Sequence, residues 1–216
     1  MRQGGLQGLL SAGILVGSMV AGVTRADVVY DNVNPNAVSY QPMLSTDQFG
    51  DDVTLAPGGR QVTRFSVLLY NNLETNYTGD FTANFYLPDE NGLPGTSLWQ
   101  GTAHVADGQA GDRLVSWDVP NVTVPDSFIW GLSMSVNGTD DIGPYLNDTP
   151  TVGTSEDLAY YNDGTGWFAY DYHSDGSADL ANLEARIETA VPEPGTIGLV
   201  ALAGAGLLSA RRRRHA

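Results

Sequence analysis

Carboxylates are the chemically capable side chains of this sequence. Its 216 residues hold 25 Asp and Glu, three His (His104, His173, His215) and no Cys. Thiol catalysis and disulfide bonding are thereby excluded, and any exported domain must be held by packing alone. A metal-dependent hydrolase would need His and carboxylate ligands at short spacing, and no HxH or HExxH pattern occurs. No Gly-x-Ser-x-Gly elbow is present for a serine nucleophile. A glycosidase needs only two carboxylates, but no spacing here marks one pair out from the rest. The expectation is a protein that is not an enzyme.

Calcium suits an oxygen-rich chain better, because it takes Asp, Asn and backbone carbonyl ligands. Asp171, Asp175 and Asp179 are the leading candidates, in the loop Asp171-Tyr-His-Ser-Asp-Gly-Ser-Ala-Asp179; Asp140-Asp141 is a second. Their spacing is not that of an EF-hand loop, and no Glu stands at its twelfth position. A water-solvated acidic turn is the plainer reading, and no cofactor is required. A further candidate chemistry is stacking of sugar rings on aromatic faces. Tyr160, Tyr161, Trp167, Phe168, Tyr170 and Tyr172 flank the turn Gly164–Gly166. Trp167 and Tyr170 are the candidates for glycan stacking, although strand alternation sends them to opposite faces, and core packing accounts for most of the group.

Charge narrows the partners. The sequence has no Lys, and six of its ten Arg (2, 25 and 211 to 214) lie near the termini. Between Asp27 and Ala190 four Arg face 24 acidic residues, a formal net charge of −20. Such a surface disfavours nucleic acid, which requires a basic face. It keeps a secreted protein soluble and attracts divalent cations or basic polymers.

The elements that must position these residues have a period of two. Thr63, Phe65, Val67 and Leu69 share a face, as do Phe81, Ala83, Phe85 and Leu87; Val115, Trp117 and Val119; and Phe128, Trp130, Leu132 and Met134. Weaker strands are predicted at 28–30, 52–55, 98–105, 158–161, 166–172 and 180–189. Chain-reversing sequences separate them at 56–59, 88–95, 107–108 and 137–144. No apolar stripe of helical period lasts three turns. Nine or ten short strands in about 164 residues predict a single all-β domain, an antiparallel β-sandwich of jelly-roll-like type.

The two ends follow a different logic. Leu9–Val23 is uncharged and apolar behind Arg2, and Thr24-Arg25-Ala26 offers small residues before Asp27, as in a secretory signal peptide spanning 1–26. At the other end, Pro192-Glu193-Pro194 precedes an uncharged run, Thr196–Ala210, and then Arg211-Arg212-Arg213-Arg214. The run is short for a full crossing, but neighbouring residues and snorkelling arginines extend it, and four arginines favour retention on the cytoplasmic side. The expected organisation is a signal helix over 1–26, the β-sandwich over 27–190, and a transmembrane anchor segment over 191–216.

The tripeptide, the apolar run and the arginine stop, in that order, resemble the PEP-CTERM sorting signal. The resemblance implies that Pro192, Glu193 and Pro194 are substrate residues for an exosortase, a membrane protease that removes the tail. It also implies a transient inner-membrane stage before delivery to the envelope or outside. The domain is similar to one often carried by PEP-CTERM proteins, through Phe49–Leu55, Arg60–Val67, Phe85–Gly95 and Leu183–Ile187. That likeness implies a β-sandwich without assigned chemistry. The expected role is structural or adhesive, at the cell surface or in the extracellular matrix. The alternative is a secreted carbohydrate-binding module or polysaccharide-active hydrolase, with extracellular polysaccharide as partner.

Overall fold

Alternating apolar and polar residues place one face of each strand in the interior, and two antiparallel sheets result. The computed structural model describes residues 26–37, 39–73, 75–137, 141–147, 149–156, 158–171 and 182–190. The expected C-terminal transmembrane helix falls outside these residues, as does the expected signal helix apart from its last residue, Ala26, which opens the first strand. Among the described residues no helix is long and apolar enough to cross a membrane.

The strands, in chain order, are β1 (Ala26–Asp31), β2 (Ser39–Tyr40), β3 (Gln48–Thr54), β4 (Gln61–Asn71), β5 (Tyr77–Pro88), β6 (Pro94–Gly108), β7 (Gly111–Thr123), β8 (Ser127–Val136), β9 (Ile142–Asn147), β10 (Leu158–Asn162), β11 (Trp167–Asp171), β12 (Asn182–Leu183) and β13 (Ala185–Ala190). One sheet runs β11-β10-β3-β8-β5-β6. The other is centred on β4, which pairs with β7 along one edge. Its opposite edge pairs first with β13 (at Val62–Val67) and then with β9 (at Leu69–Asn71). β1 adds beyond β13, while β2 and β12 pair with β9.

The core lies between the sheets. Phe65 of β4 meets Phe85 of β5 and Trp130 of β8 at ring-centroid distances of 5.3 Å each, so aromatic rings of the two sheets interdigitate. All three are fully buried, as are Phe81, Phe128 and Leu132 or nearly so. Each such side chain contributes about 1.5–3 kcal/mol of burial free energy. For a domain without disulfides this is the principal source of stability.

Several expectations are corrected by register. Thr63 does not join Phe65, Val67 and Leu69 inside: the pairing of β4 shifts between Val62 and Arg64, and Val62 takes the buried place. Leu87 does not follow Phe85 inward, because β5 shifts register against β6 beyond Phe85, leaving Leu87 at 37% exposure. The stretch read as a turn over 137–144 already contains the start of β9, from Ile142. The strand expected over 180–189 is divided by Glu184 into β12 and β13. There the Glu184 N–H donates to the Tyr145 carbonyl at 2.8 Å, and its carbonyl accepts from the Leu68 N–H at 3.2 Å. One residue thereby ties together β4 and β9 where they diverge.

Candidate functional site

At one edge of the six-stranded sheet, the hairpin β10–β11 is formed by a polar turn. The Asn162 Oδ1 accepts from the Gly164 N–H at 2.8 Å, and the Asp163 Oδ1 accepts from the Thr165 N–H at 2.9 Å. These side-chain bonds close the turn locally. Gly164 occupies φ +93°, a left-handed conformation that a side chain would strain. Hydrogen bonds from Thr165 also hold the Asp163 carboxyl below the ordinary carboxylate range.

The hairpin register decides which aromatics share a face. Tyr161 lies opposite Phe168 and Ala159 opposite Tyr170, whereas Asn162 lies opposite Trp167. Tyr161, Phe168, Ala159 and Tyr170 therefore line the face turned toward the interior side of the sheet. Trp167 lies on the outer side, where its ring packs against Tyr86 at 5.7 Å, both over Gly131. The two glycan-stacking candidates thus sit on opposite faces and form no common platform.

Tyr170 belongs to a cleft of about 400 Å³. It is lined by the aromatic rings of Phe49, Tyr161 and Tyr170, the small side chain of Ala159, and Gln41, Pro42 and Asp47. Phe49 and Tyr161 pack ring to ring at 4.9 Å. Asp47 is 5% exposed and accepts from the Tyr161 hydroxyl at 3.2 Å, the Thr46 hydroxyl at 3.3 Å and the Leu44 N–H at 3.3 Å. Burial and the Asp47 charge push the Tyr161 hydroxyl pKa up. Outside the wall contacts, Phe168 and Tyr170 remain 52% and 56% exposed, respectively.

The strongly perturbed carboxyls lie elsewhere. Asp51, fully buried on β3, accepts from the Leu183 N–H at 2.7 Å and the Ser155 hydroxyl at 3.1 Å; burial and the neighbouring Asp52 push its pKa well up. Burial raises Asp52 to about 6, while its carboxylate accepts from the Glu156 N–H at 3.1 Å. Burial likewise raises Glu184 to about 7; one oxygen accepts from the Asn34 N–H at 3.1 Å and the other is buried without a hydrogen-bond partner. These groups hold loops and strand ends in place rather than facing the cleft.

Asp171 closes β11, and Asp175 and Asp179 lie outside the described residues. Of the second pair, Asp141 accepts from the Tyr40 hydroxyl and, at 2.9 Å, from the Asn72 side-chain amide; Asp140 lies outside the described residues. Among the described residues no group of three or more His, Asp or Glu is placed to hold a metal ion. His104 pairs with Asp80 at 2.7 Å on the exposed side of β5 and β6, while His173 and His215 lie outside the described residues. Pro192, Glu193, Pro194 and Arg211–Arg214 also lie outside them.

Sequence reading did not connect Asp47, Phe49, Gln41 and Pro42 with the aromatic hairpin. Asp47 and Tyr161 are 114 positions apart, and no linear signal joins them.

Compared with known proteins, residues 190–214 match the PEP-CTERM protein-sorting motif. No curated protein and no solved structure matches the chain. The motif marks an exported, cell-surface-directed protein sorted by an exosortase.

Proposed function

We propose that this protein is a non-enzymatic structural or adhesive component of the cell surface or extracellular matrix. The observation that carries this reading is the sorting motif at 190–214. A signal segment ending at Ala26 directs export, and the apolar run Thr196–Ala210 halts in the membrane with Arg211–Arg214 on the cytoplasmic side. An exosortase then acts near Pro192–Pro194 and releases the β-domain to the outside.

The non-enzymatic reading is supported by where the perturbed carboxyls are used. Asp51, Asp52 and Glu184 accept backbone N–H groups from Leu183, Glu156 and Asn34. Each is occupied in fastening one segment to another. A jelly-roll arrangement is supported by strand order. Across the middle of β4 the order β1-β13-β4-β7 faces β3-β8-β5-β6, so that successive principal strands alternate between sheets except at the β5–β6 hairpin, with β10–β11 added beyond β3.

The test is the intact mass of the protein recovered from its host's envelope and medium. A species beginning near Asp27 and ending near Pro192–Pro194 is expected. A species retaining Arg211–Arg214 as the sole form would overturn release and make the tail a permanent anchor.

A further inference from the structure

We propose that the cleft between Tyr161 and Tyr170 is a binding site for a neutral sugar unit of a polysaccharide. The proposal rests on the reading that the domain faces the outside, and it assigns that domain a ligand class and a place to hold it.

Two features of the cleft match a pyranose ring, which has a C–H face and an equatorial belt of hydroxyls. Phe49, Tyr161 and Tyr170 supply ring surfaces, and the side chain of Ala159, opposite Tyr170, is too small to cover them. The volume of about 400 Å³ lies within the range of small-ligand sites. Polar groups are few and fixed. Asp47 is 5% exposed, and its hydrogen bond to the Tyr161 hydroxyl links a carboxylate to the wall against which the ring would stack. A carboxylate has lone pairs beyond those used, and these can accept from a sugar hydroxyl. Phe168 and Tyr170 stand on the same face of β11 and continue the aromatic surface out of the cleft, as a ligand longer than one unit would require.

Charge selects among ligands. An anionic polysaccharide would meet both Asp47 and a segment whose formal net charge is −20. A cation finds Asp47 already engaged by three donors, those of Tyr161, Thr46 and Leu44, which offset its charge without a counter-ion. A neutral polyhydroxylated ligand loses nothing to either effect. The outer-face pair Trp167 and Tyr86 is the competing location. There the two rings meet edge to face at 5.7 Å, and neither lines the cleft that holds Asp47.

The experiment is affinity electrophoresis of the protein, recovered as the host makes it, through gels containing mixed-linkage β-glucan, galactomannan or dextran. Parallel gels contain polygalacturonate or chitosan. Retardation by at least one of the neutral polymers is expected. Tyr170→Ala should weaken that retardation roughly tenfold, the scale of one lost aromatic contact, and Tyr170→Phe should retain it. Tyr170 is half exposed, and equal melting temperatures for parent and variants confirm that the fold is intact. Retardation by none of the neutral polymers, or by polygalacturonate or chitosan alone, would overturn the assignment. Loss in Trp167→Ala with retention in Tyr170→Ala would place the site on the outer face and also overturn it. A protein delivered to the surface that binds no neutral polymer refutes the ligand and leaves sorting intact; an unprocessed protein that is still retarded does the reverse.

Discussion

The indole N–H of Trp117, on β7, donates to the carbonyl oxygen of Phe81, on β5, at 3.1 Å. The two strands belong to different sheets, so this directional bond crosses the core and, with that from the Leu183 N–H to Asp51, fixes how the sheets sit over one another. The surrounding contacts are mainly non-directional; Trp117 also packs against Phe65 at 5.5 Å. Replacing the indole would break this bond and leave part of its buried volume empty.

Trp117→Phe should therefore destabilise the domain by about 1–3 kcal/mol, through loss of the hydrogen bond and a small cavity. Urea unfolding measures it. A change within about 0.5 kcal/mol would show that the inter-sheet bond contributes nothing.

Stability should fall as pH rises from about 4.5 to about 8. Asp52 and Glu184, raised to about 6 and about 7, and Asp51, raised well above the usual range, bind protons more tightly in the fold than in the unfolded chain. Over that window the fold carries the extra protons, and stability is lost as they dissociate. The melting temperature should drop by roughly 5 °C or more across the window. Asp89 and Asp163, which are lowered, act only at more acid pH and with opposite sign. A melting curve that is flat or rises over the window contradicts this.

Glu184→Gln should raise the melting temperature at pH 8 and flatten the pH dependence, because the Gln oxygen can still accept from the Asn34 N–H while the buried charge is gone. If the pH dependence keeps its full slope, Glu184 is not among the groups responsible.

Gly143→Ala should cost about 1–3 kcal/mol or abolish folding, as overpacking at a rigid site does. A Cβ at this position would fall on the carbonyl oxygen of Gln41 and lie 3.2 Å from the Pro42 Cα, both backbone atoms. Thermal melts of the variant decide this; wild-type stability would mean that the Gln41–Pro42 segment can move aside.

Replacing Pro192, Glu193 and Pro194 together by Ala should leave the chain at its unprocessed C-terminal mass in the membrane fraction. Normal processing of that variant would show that recognition lies elsewhere in the tail.

The destination and the class of fold are written in the linear order of the residues. The sorting signal is a linear code read by a partner, so Pro192–Pro194, the apolar run and the arginines are legible without any fold. Strand faces were legible for the same reason: residues two apart share a side whatever the topology, as Val115, Trp117 and Val119 do. Register and distant pairing, by contrast, emerge only when the sheets assemble. A shift at Thr63 moved Val62 into the core, and another beyond Phe85 turned Leu87 out. The segment Ile142–Asn147, rich in turn residues, became a strand because β4 and β2 offered it edges to pair with. The cleft belongs to the same class. Tyr161 and Tyr170 come from one hairpin, but Asp47 reaches Tyr161 across 114 positions of sequence only because β3 pairs with β10. Local alternation is fixed by the geometry of a single strand, whereas a site is fixed by which strands become neighbours.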